Sequence, residues 1–174
     1  GENTMTGGRL KRVASHIDNE SEFCMTYGDG LADIDISATV TFHRQHERLA
    51  TVAAVKPPGR FGALELAGQR VTGFIEKPTG DEGLINGGFF VLDPRCLDLI
   101  QGDNTRWEDE PLIRLAAEDQ LMAYEHHGFW QPMDTLRDKV FLDSLWKSSS
   151  APIESPSGCH AEISSYHCSL ITGV

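Results

Sequence analysis

Phe23-Cys24-Met25-Thr26-Tyr27-Gly28-Asp29-Gly30 is an apolar run that stops at a carboxylate held between two glycines. Aromatic, sulfur and β-branched side chains ended by glycine predict a buried strand followed by a tight turn. Asp29 is then presented at the carboxyl end of that strand. In open α/β sheets ligands bind outside this edge, and flanking glycines let an anion or a metal come close to the backbone. A plain turn aspartate satisfies the same stretch. The rest of the chain has to decide between the two.

Downstream, Asp35 is a good N-cap for a helix to about Glu47, with Ile36, Val40 and Leu49 as a partial apolar stripe. His43 and His46 lie three apart on it and read as a solvated face, since no third metal ligand stands near them. A second apolar run follows at 50–55. The order strand, helix, strand predicts parallel strands joined by a right-handed crossover. Residues 64–66 and 71–75 read as a β-hairpin ending at Glu76-Lys77-Pro78. Residues 84–92 read as a strand interrupted by Gly87 and Gly88, the mark of a bulge or of a close approach, here by a ligand.

Asp93-Pro94 then turns into a short helix over 95–100. Thr105-Arg106-Trp107-Glu108 has capping-box spacing ahead of a helix that carries Pro111, Leu112 and Leu115. A strand is predicted at 121–124, and then the aromatic loop 126–133 delivers a second boundary carboxylate, Asp134. Thr135 caps a last helix through Trp146 with Leu136, Val140 and Leu145 expected in the core. His126 and His127 face apart and read as packing or solvated groups rather than a base. Upstream, Thr6-Gly7-Gly8 beside Arg9, Lys11 and Arg12 reads as a turn whose amides bind an anion or simply connect, with a helix from Leu10.

At 174 residues, 40% hydrophobic and 24% charged, the chain has the size and balance of one globular domain. A net charge of −11 with no basic stripe argues against a nucleic-acid binder. No run nears the roughly 18 apolar residues of a membrane span, and no charged-then-apolar leader is read. A cytoplasmic setting without membrane contact is expected. Cys24, Cys96, Cys159 and Cys168 are widely spaced and form no disulfide framework. Residues 1–147 are expected to form the domain, and residues 148–174, rich in Ser and Pro, a disordered tail. Within that tail Cys159-His160 and His167-Cys168 fit no common zinc module.

Taken together, MTGGRLKR, TYGDG, PPGRFGAL, IEKP, INGGFFVL and GFWQPMDTLRDK resemble the later part of the sugar-phosphate nucleotidyltransferases, and within them the glucose-1-phosphate cytidylyltransferases, from about Met5 to Trp146. The resemblance implies an α/β fold, a Rossmann-like doubly wound mixed sheet of the nucleotide-sugar pyrophosphorylase type, truncated at its N-terminus. It implies a Mg²⁺-dependent joining of CTP to α-D-glucose 1-phosphate and a homo-oligomer in the intact protein. Asp29 and Asp134 match the metal positions and, with Lys77, the catalytic ones. Glu76 and Asn86 would bind the hexose, Lys77 its phosphate, and Gly62 would allow the sugar to approach. Thr6 and Arg9 would lie by the cytosine nucleotide, and Gly28 is a further substrate-binding position. The Gly-Thr-Arg and Pro-Lys-Pro signatures are missing, from which the chain alone is expected to form no CDP-glucose and to leave an uncovered edge beside residues 23–27. The alternatives are a non-catalytic sugar-phosphate-binding or assembly piece and another metal-dependent nucleotide-sugar enzyme; a glycosyltransferase of that kind usually shows two aspartates straddling one residue, whereas Asp33-Ile34-Asp35 lies at the expected start of a helix.

Overall fold

The computed structural model describes residues 2–17, 20–58, 63–67, 70–75, 83–148, 152 and 169–172, with the backbone path alone for 63–67, 71–75 and 169–172. Its frame is a mixed five-stranded sheet in the order β7-β3-β6-β1-β9. The strands are β1 (Phe23–Thr26), β3 (Ala50–Val55), β6 (Ile85–Leu92), β7 (Leu121–His126) and β9 (Ser169–Thr172). Strand β6 is antiparallel to both β1 and β3, whereas β3 and β7, and β1 and β9, run parallel. The expected parallel direction of β1 and β3 holds, with β6 inserted between them. Two ribbons stand apart from the sheet: β2 (Gly30–Ala32) with β8 (Trp130–Pro132), and β4 (Ala63–Ala67) with β5 (Arg70–Ile75).

The run 23–26 is apolar throughout because β1 is covered on both faces. Phe23 and Met25 point into the main core with Phe90, Leu92, Trp107 and Leu115, while Cys24 points the other way, against Val40 and Val91. The main core is roofed by α1 (Thr6–Arg12), the 3₁₀ turns Ala14–His16 and Pro94–Leu99, and α3 (Glu110–Ala117). The opposite side carries α2 (Ile36–His46), and α4 (Leu136–Lys147) follows β8.

Five local expectations change. Helix α1 begins at Thr6, not Leu10, because Gly7 and Gly8 pack against a loop rather than turn the chain. A Cβ on Gly8 would lie 2.6 Å from Asp103 Cα, and one on Gly7 2.8 Å from the Thr105 carbonyl. That loop also takes helix amides, since Met5 N–H donates to Asp103 O (2.8 Å) and Gly8 N–H to Thr105 O (3.2 Å). The Thr6-Gly7-Gly8 segment is a helix–loop contact and not an anion-binding turn. Helix α3 is capped at Asp109 without a side-chain bond, so the residues spaced for a capping box serve elsewhere.

The histidines of α2 are not on a solvated face. His43 is buried, and Thr51 Oγ1, wholly buried on β3, lies 2.9 Å from His43 Nδ1 and 2.7 Å from His46 Nε2. Arg48 N–H donates to His46 Nδ1 (2.9 Å), which makes that nitrogen the unprotonated one. His46 Nε2–H therefore donates to Thr51, whose hydroxyl proton goes on to His43 Nδ1. Burial, and next the charge of His46, pushes the His43 pKa down to about 4. Beside this cluster Arg44 pairs with the buried Glu22.

Helix α4 has the expected cap, with Asp138 N–H donating to Thr135 Oγ1 and Thr135 N–H to Asp138 Oδ2. Its expected core positions differ: Leu136 is 76% and Val140 58% exposed, and Leu145 is half-buried. Apolar side chains surround this helix without a single stripe, so periodicity could not say which side would be covered. Within the stretch read as a tail, Ser169–Thr172 forms β9 beside β1, in the place expected to be an uncovered edge. A four-residue strand in Ser- and Pro-rich surroundings is too short for alternation to reveal.

Candidate active site

The segments that carry the two boundary aspartates, from widely separated sequence motifs, run side by side at the carboxyl end of β1. The chain leaves β1 through Tyr27 and Gly28, and β2 starts at Gly30, so Asp29 sits at the turn between them. Strand β8 pairs antiparallel with β2 in the register Gly30↔Pro132, Leu31↔Gln131, Ala32↔Trp130. The ladder runs one step further, because Met133 N–H donates to Asp29 O at 2.7 Å. Asp134 is the next residue. It lies between that bond and the capping box of α4, so both of its neighbours are fixed by backbone interactions.

The ribbon is anchored to the sheet. Trp130 Nε1–H donates to Gly87 O (2.8 Å), and Gln131, 7% exposed, donates from Nε2 to Asp138 Oδ1 (3.2 Å). Gly87 and Gly88 mark the bulge in β6 opposite Val52 and Ala54. What approaches them is protein: a Cβ on Gly87 would meet Val55 Cγ1 at 2.8 Å, and one on Gly88, whose φ is +77°, would meet Tyr27 Cδ2 at 2.7 Å. Asn86 is exposed beside this bulge and accepts from Gly88 N–H (2.8 Å).

A cleft of about 370 Å³ opens beside Asp29, lined by Met5, Thr6, Tyr27, Gly28, Asp29, Arg106 and Glu108. The Thr6 hydroxyl donates to Glu108 Oε2 (2.8 Å) and accepts from Trp107 N–H (2.9 Å), so it is engaged in tying α1 to the loop before α3. Arg9 is exposed and donates from Nε to Thr4 O (2.8 Å). Asp33 and Asp35 do not form a metal pair. Asp35 caps α2, accepting from Ala38 N–H at 2.8 Å, and Asp33 faces His126 Nε2 at 2.9 Å, with Gly128 allowing the loop to close on it. His126 is thus a packing residue, while His127 is exposed 3.6 Å from Glu125. Glu76, Lys77 and Gly62 lie outside the described residues, as do Cys159, His160, His167 and Cys168.

A family model described as nucleotidyl transferase matches residues 4–147. The chain belongs to the nucleotidyl transferase family. It is 58% identical over 87% of its length to a glucose-1-phosphate cytidylyltransferase of Salmonella typhimurium, and 39% identical over 84% to a probable glucose-1-phosphate cytidylyltransferase of Bacillus subtilis. It spans 59% and 57% of those proteins. The solved structure of HddC from Yersinia pseudotuberculosis shares the fold, with a TM-score of 0.61 at 19% identity, covering 84% of this chain and 64% of that one. In this nucleotidyl transferase chain, the sequence motifs had singled out Asp29, Asp134, Gly28, Asn86, Thr6 and Arg9. Tyr27, Arg106 and Glu108 had not been assigned to the site. Glu108 had been absorbed into a capping pattern, and Tyr27 into a strand, so neither carried a separate signal. Among the described residues no helix is long and apolar enough to cross a membrane.

Proposed function

We propose that the chain carries the carboxylate- and sugar-side part of a site that joins CTP to α-D-glucose 1-phosphate, giving CDP-glucose and pyrophosphate. The observation that supports it most is the juxtaposition of Asp29 and Asp134 through the β2–β8 ladder at the carboxyl end of β1. The reaction asks for no protein nucleophile, because the sugar phosphate oxygen itself attacks the α-phosphorus of CTP. The protein contributes positioning and charge.

Among the described residues no group of three or more His, Cys, Asp or Glu side chains gathers round one point, and the two carboxylates offer hard oxygen donors alone. Such a set suits Mg²⁺, which keeps several waters and takes one or two carboxylates together with phosphate oxygens. Asp29 and Asp134 would hold it. When bound, the ion offsets negative charge on the phosphate oxygens. Lys77 would neutralise the sugar phosphate, Glu76 and Asn86 would hydrogen-bond hexose hydroxyls, and Gly62 would leave room for the ring. Arg9, Gly28 and the Thr6 end of α1 border the nucleotide side. A soluble cytoplasmic setting and a homo-oligomer complete the reading.

The test is pyrophosphate release from CTP with glucose 1-phosphate and Mg²⁺, run on this chain and on a full-length polypeptide containing it, alongside calorimetry with each substrate. The expected outcome is CTP- and glucose 1-phosphate-dependent CDP-glucose from the full-length protein, with glucose 1-phosphate binding retained by the chain. Equal turnover of UTP or GTP would sink the cytidylyl assignment. Binding of glucose 1-phosphate without turnover in either protein would leave the binding half of the reaction alone.

A further inference from the structure

The Tyr27 ring is held on several sides. Its backbone N–H donates to Gly88 O at 3.0 Å, its ring stands edge-on to Phe90 (centroids 5.8 Å apart, 64° between planes), and it fills the space over Gly88 that a Cβ would occupy. The hydroxyl at its end is buried and has no hydrogen-bond partner. A buried polar group left in this way is costly, and a native protein keeps one where something else completes it.

The adjoining cleft shows what would complete it. Two hydroxyls belong to residues lining this space, those of Thr6 and Tyr27. That of Thr6 is used twice by the protein, as donor to Glu108 and acceptor from Trp107. That of Tyr27 makes no well-formed hydrogen bond, with the side chains of Glu108 and Asn86 as its nearest polar influences. Burial, and next Glu108, pushes the Tyr27 pKa up, which keeps the phenol protonated and able to donate. The same cleft carries the carboxylates of Asp29 and Glu108. Arg106 lines the cleft as well, so its charge is mixed, and at the Tyr27 end a phenol donor beside the Glu108 carboxylate acceptor matches a group that both accepts and donates, which is an alcohol.

We propose that Tyr27 is a substrate-binding residue whose phenol donates a hydrogen bond to a sugar-ring hydroxyl seated in the cleft between Tyr27 and Glu108. The hydroxyl comes from the hexose phosphate or from the ribose of the nucleotide. This rests on the nucleotidyl transfer reading above and adds to it the residue that orients the sugar ring next to Asp29.

The test is calorimetric titration of the chain and of Tyr27→Phe, separately with glucose 1-phosphate and with CTP, in the presence of Mg²⁺. Loss of one neutral hydrogen bond is expected to weaken binding of one ligand about three- to tenfold and to leave the other within about twofold. The ligand affected identifies the source of the hydroxyl. A wild-type chain that binds neither ligand overturns the nucleotidyl transfer reading and this inference with it. A wild-type chain that binds, with Tyr27→Phe binding both ligands equally well, overturns this inference alone. A second measurement avoids altering Tyr27. The chain has three tyrosines, so Tyr124→Phe with Tyr166→Phe leaves Tyr27 as the sole ring signal of a ¹³C-tyrosine-labelled sample. That signal is expected to shift on saturation with the ligand concerned, and an unmoved signal under saturation with both overturns the assignment.

Discussion

Two polar clusters of this chain have opposite fates. His43, His46 and Thr51 are buried or half-buried, strongly perturbed, and satisfied by one another. Asp29 and Asp134 are exposed and stand at the ends of elements, placed by backbone hydrogen bonds to the residues around them. The histidines use their hydrogen-bonding capacity to lock α2 onto β3. The aspartates are exposed, and the backbone around them fixes where they are. The first cluster is held together by its own side chains, and the second is placed by the backbone of the strand ends that carry it.

The sharpest way to break that contrast is to remove the carboxylate charges. Asp29→Asn and Asp134→Asn, in the full-length polypeptide, are each expected to lower turnover roughly 10³-fold. In the chain itself they should abolish Mn²⁺ binding followed by electron paramagnetic resonance, with the unfolding midpoint unmoved. A variant that kept near-normal divalent-ion-dependent activity would dissolve the two-carboxylate site.

Lys77→Ala comes next. Loss of a charge-assisted contact worth about 1.5–3 kcal/mol should raise the requirement for glucose 1-phosphate far more than that for CTP. Equal rises for both substrates would move Lys77 to the triphosphate or to the fold.

On the other side of the comparison, Thr51→Val keeps the shape but withdraws the hydroxyl that two imidazoles share. The expected cost is about 2 kcal/mol in urea unfolding, from ring nitrogens left without partners, with ligand affinities unchanged. A loss of ligand binding with the stability intact would mean that the histidine cluster serves the site.

The smallest effect is one of pH. His43 has its folded pKa depressed to about 4 from 6.5, and that of His46 is lowered too. The fold therefore favours neutral imidazoles. Their contribution is fully present above pH 6.5 and is lost as pH falls from there toward 4. Between pH 7.5 and 5.5 the stability should drop by about 1 kcal/mol. The carboxylates of Glu22 and Asp93, also held below their ordinary values, lose their contributions only at lower pH. A His43→Gln variant should flatten the curve between pH 7.5 and 5.5, and an unchanged curve would remove His43 as its source.

The sequence shows one half of this contrast better than the other. The strand ending in Gly28-Asp29-Gly30 is legible because an apolar run buried on both faces needs no alternation, and Thr135 with Asp138 announces α4. The partnership of Asp29 with Asp134 is not legible from periodicity, since it depends on two three-residue strands, β2 and β8, each too short to carry a pattern. It came into view only through motif resemblance. His43 and His46 were read as solvated because their shared partner, Thr51, stands on the next strand and looks like any β-branched strand residue. Gly7 and Gly8 were read as a turn because glycine usually punctuates, whereas here it admits the Asp103–Thr105 backbone against a helix.

The pairing of β9 with β1 bears on how the chain is made. Phe23 finds its parallel neighbour at Ser169, about 146 residues later. At synthesis rates of about 5–20 residues per second the nascent strand waits roughly 10–30 s for that partner. Among the described residues β6 and β9 are the strands hydrogen-bonded to β1, and the β9 side of β1 stays without its partner among them, with amides and carbonyls to satisfy, until Ser169–Thr172 is made. Ser169–Thr172 is thus the last of the described strands to join the sheet, and it joins beside the strand that leads to Asp29.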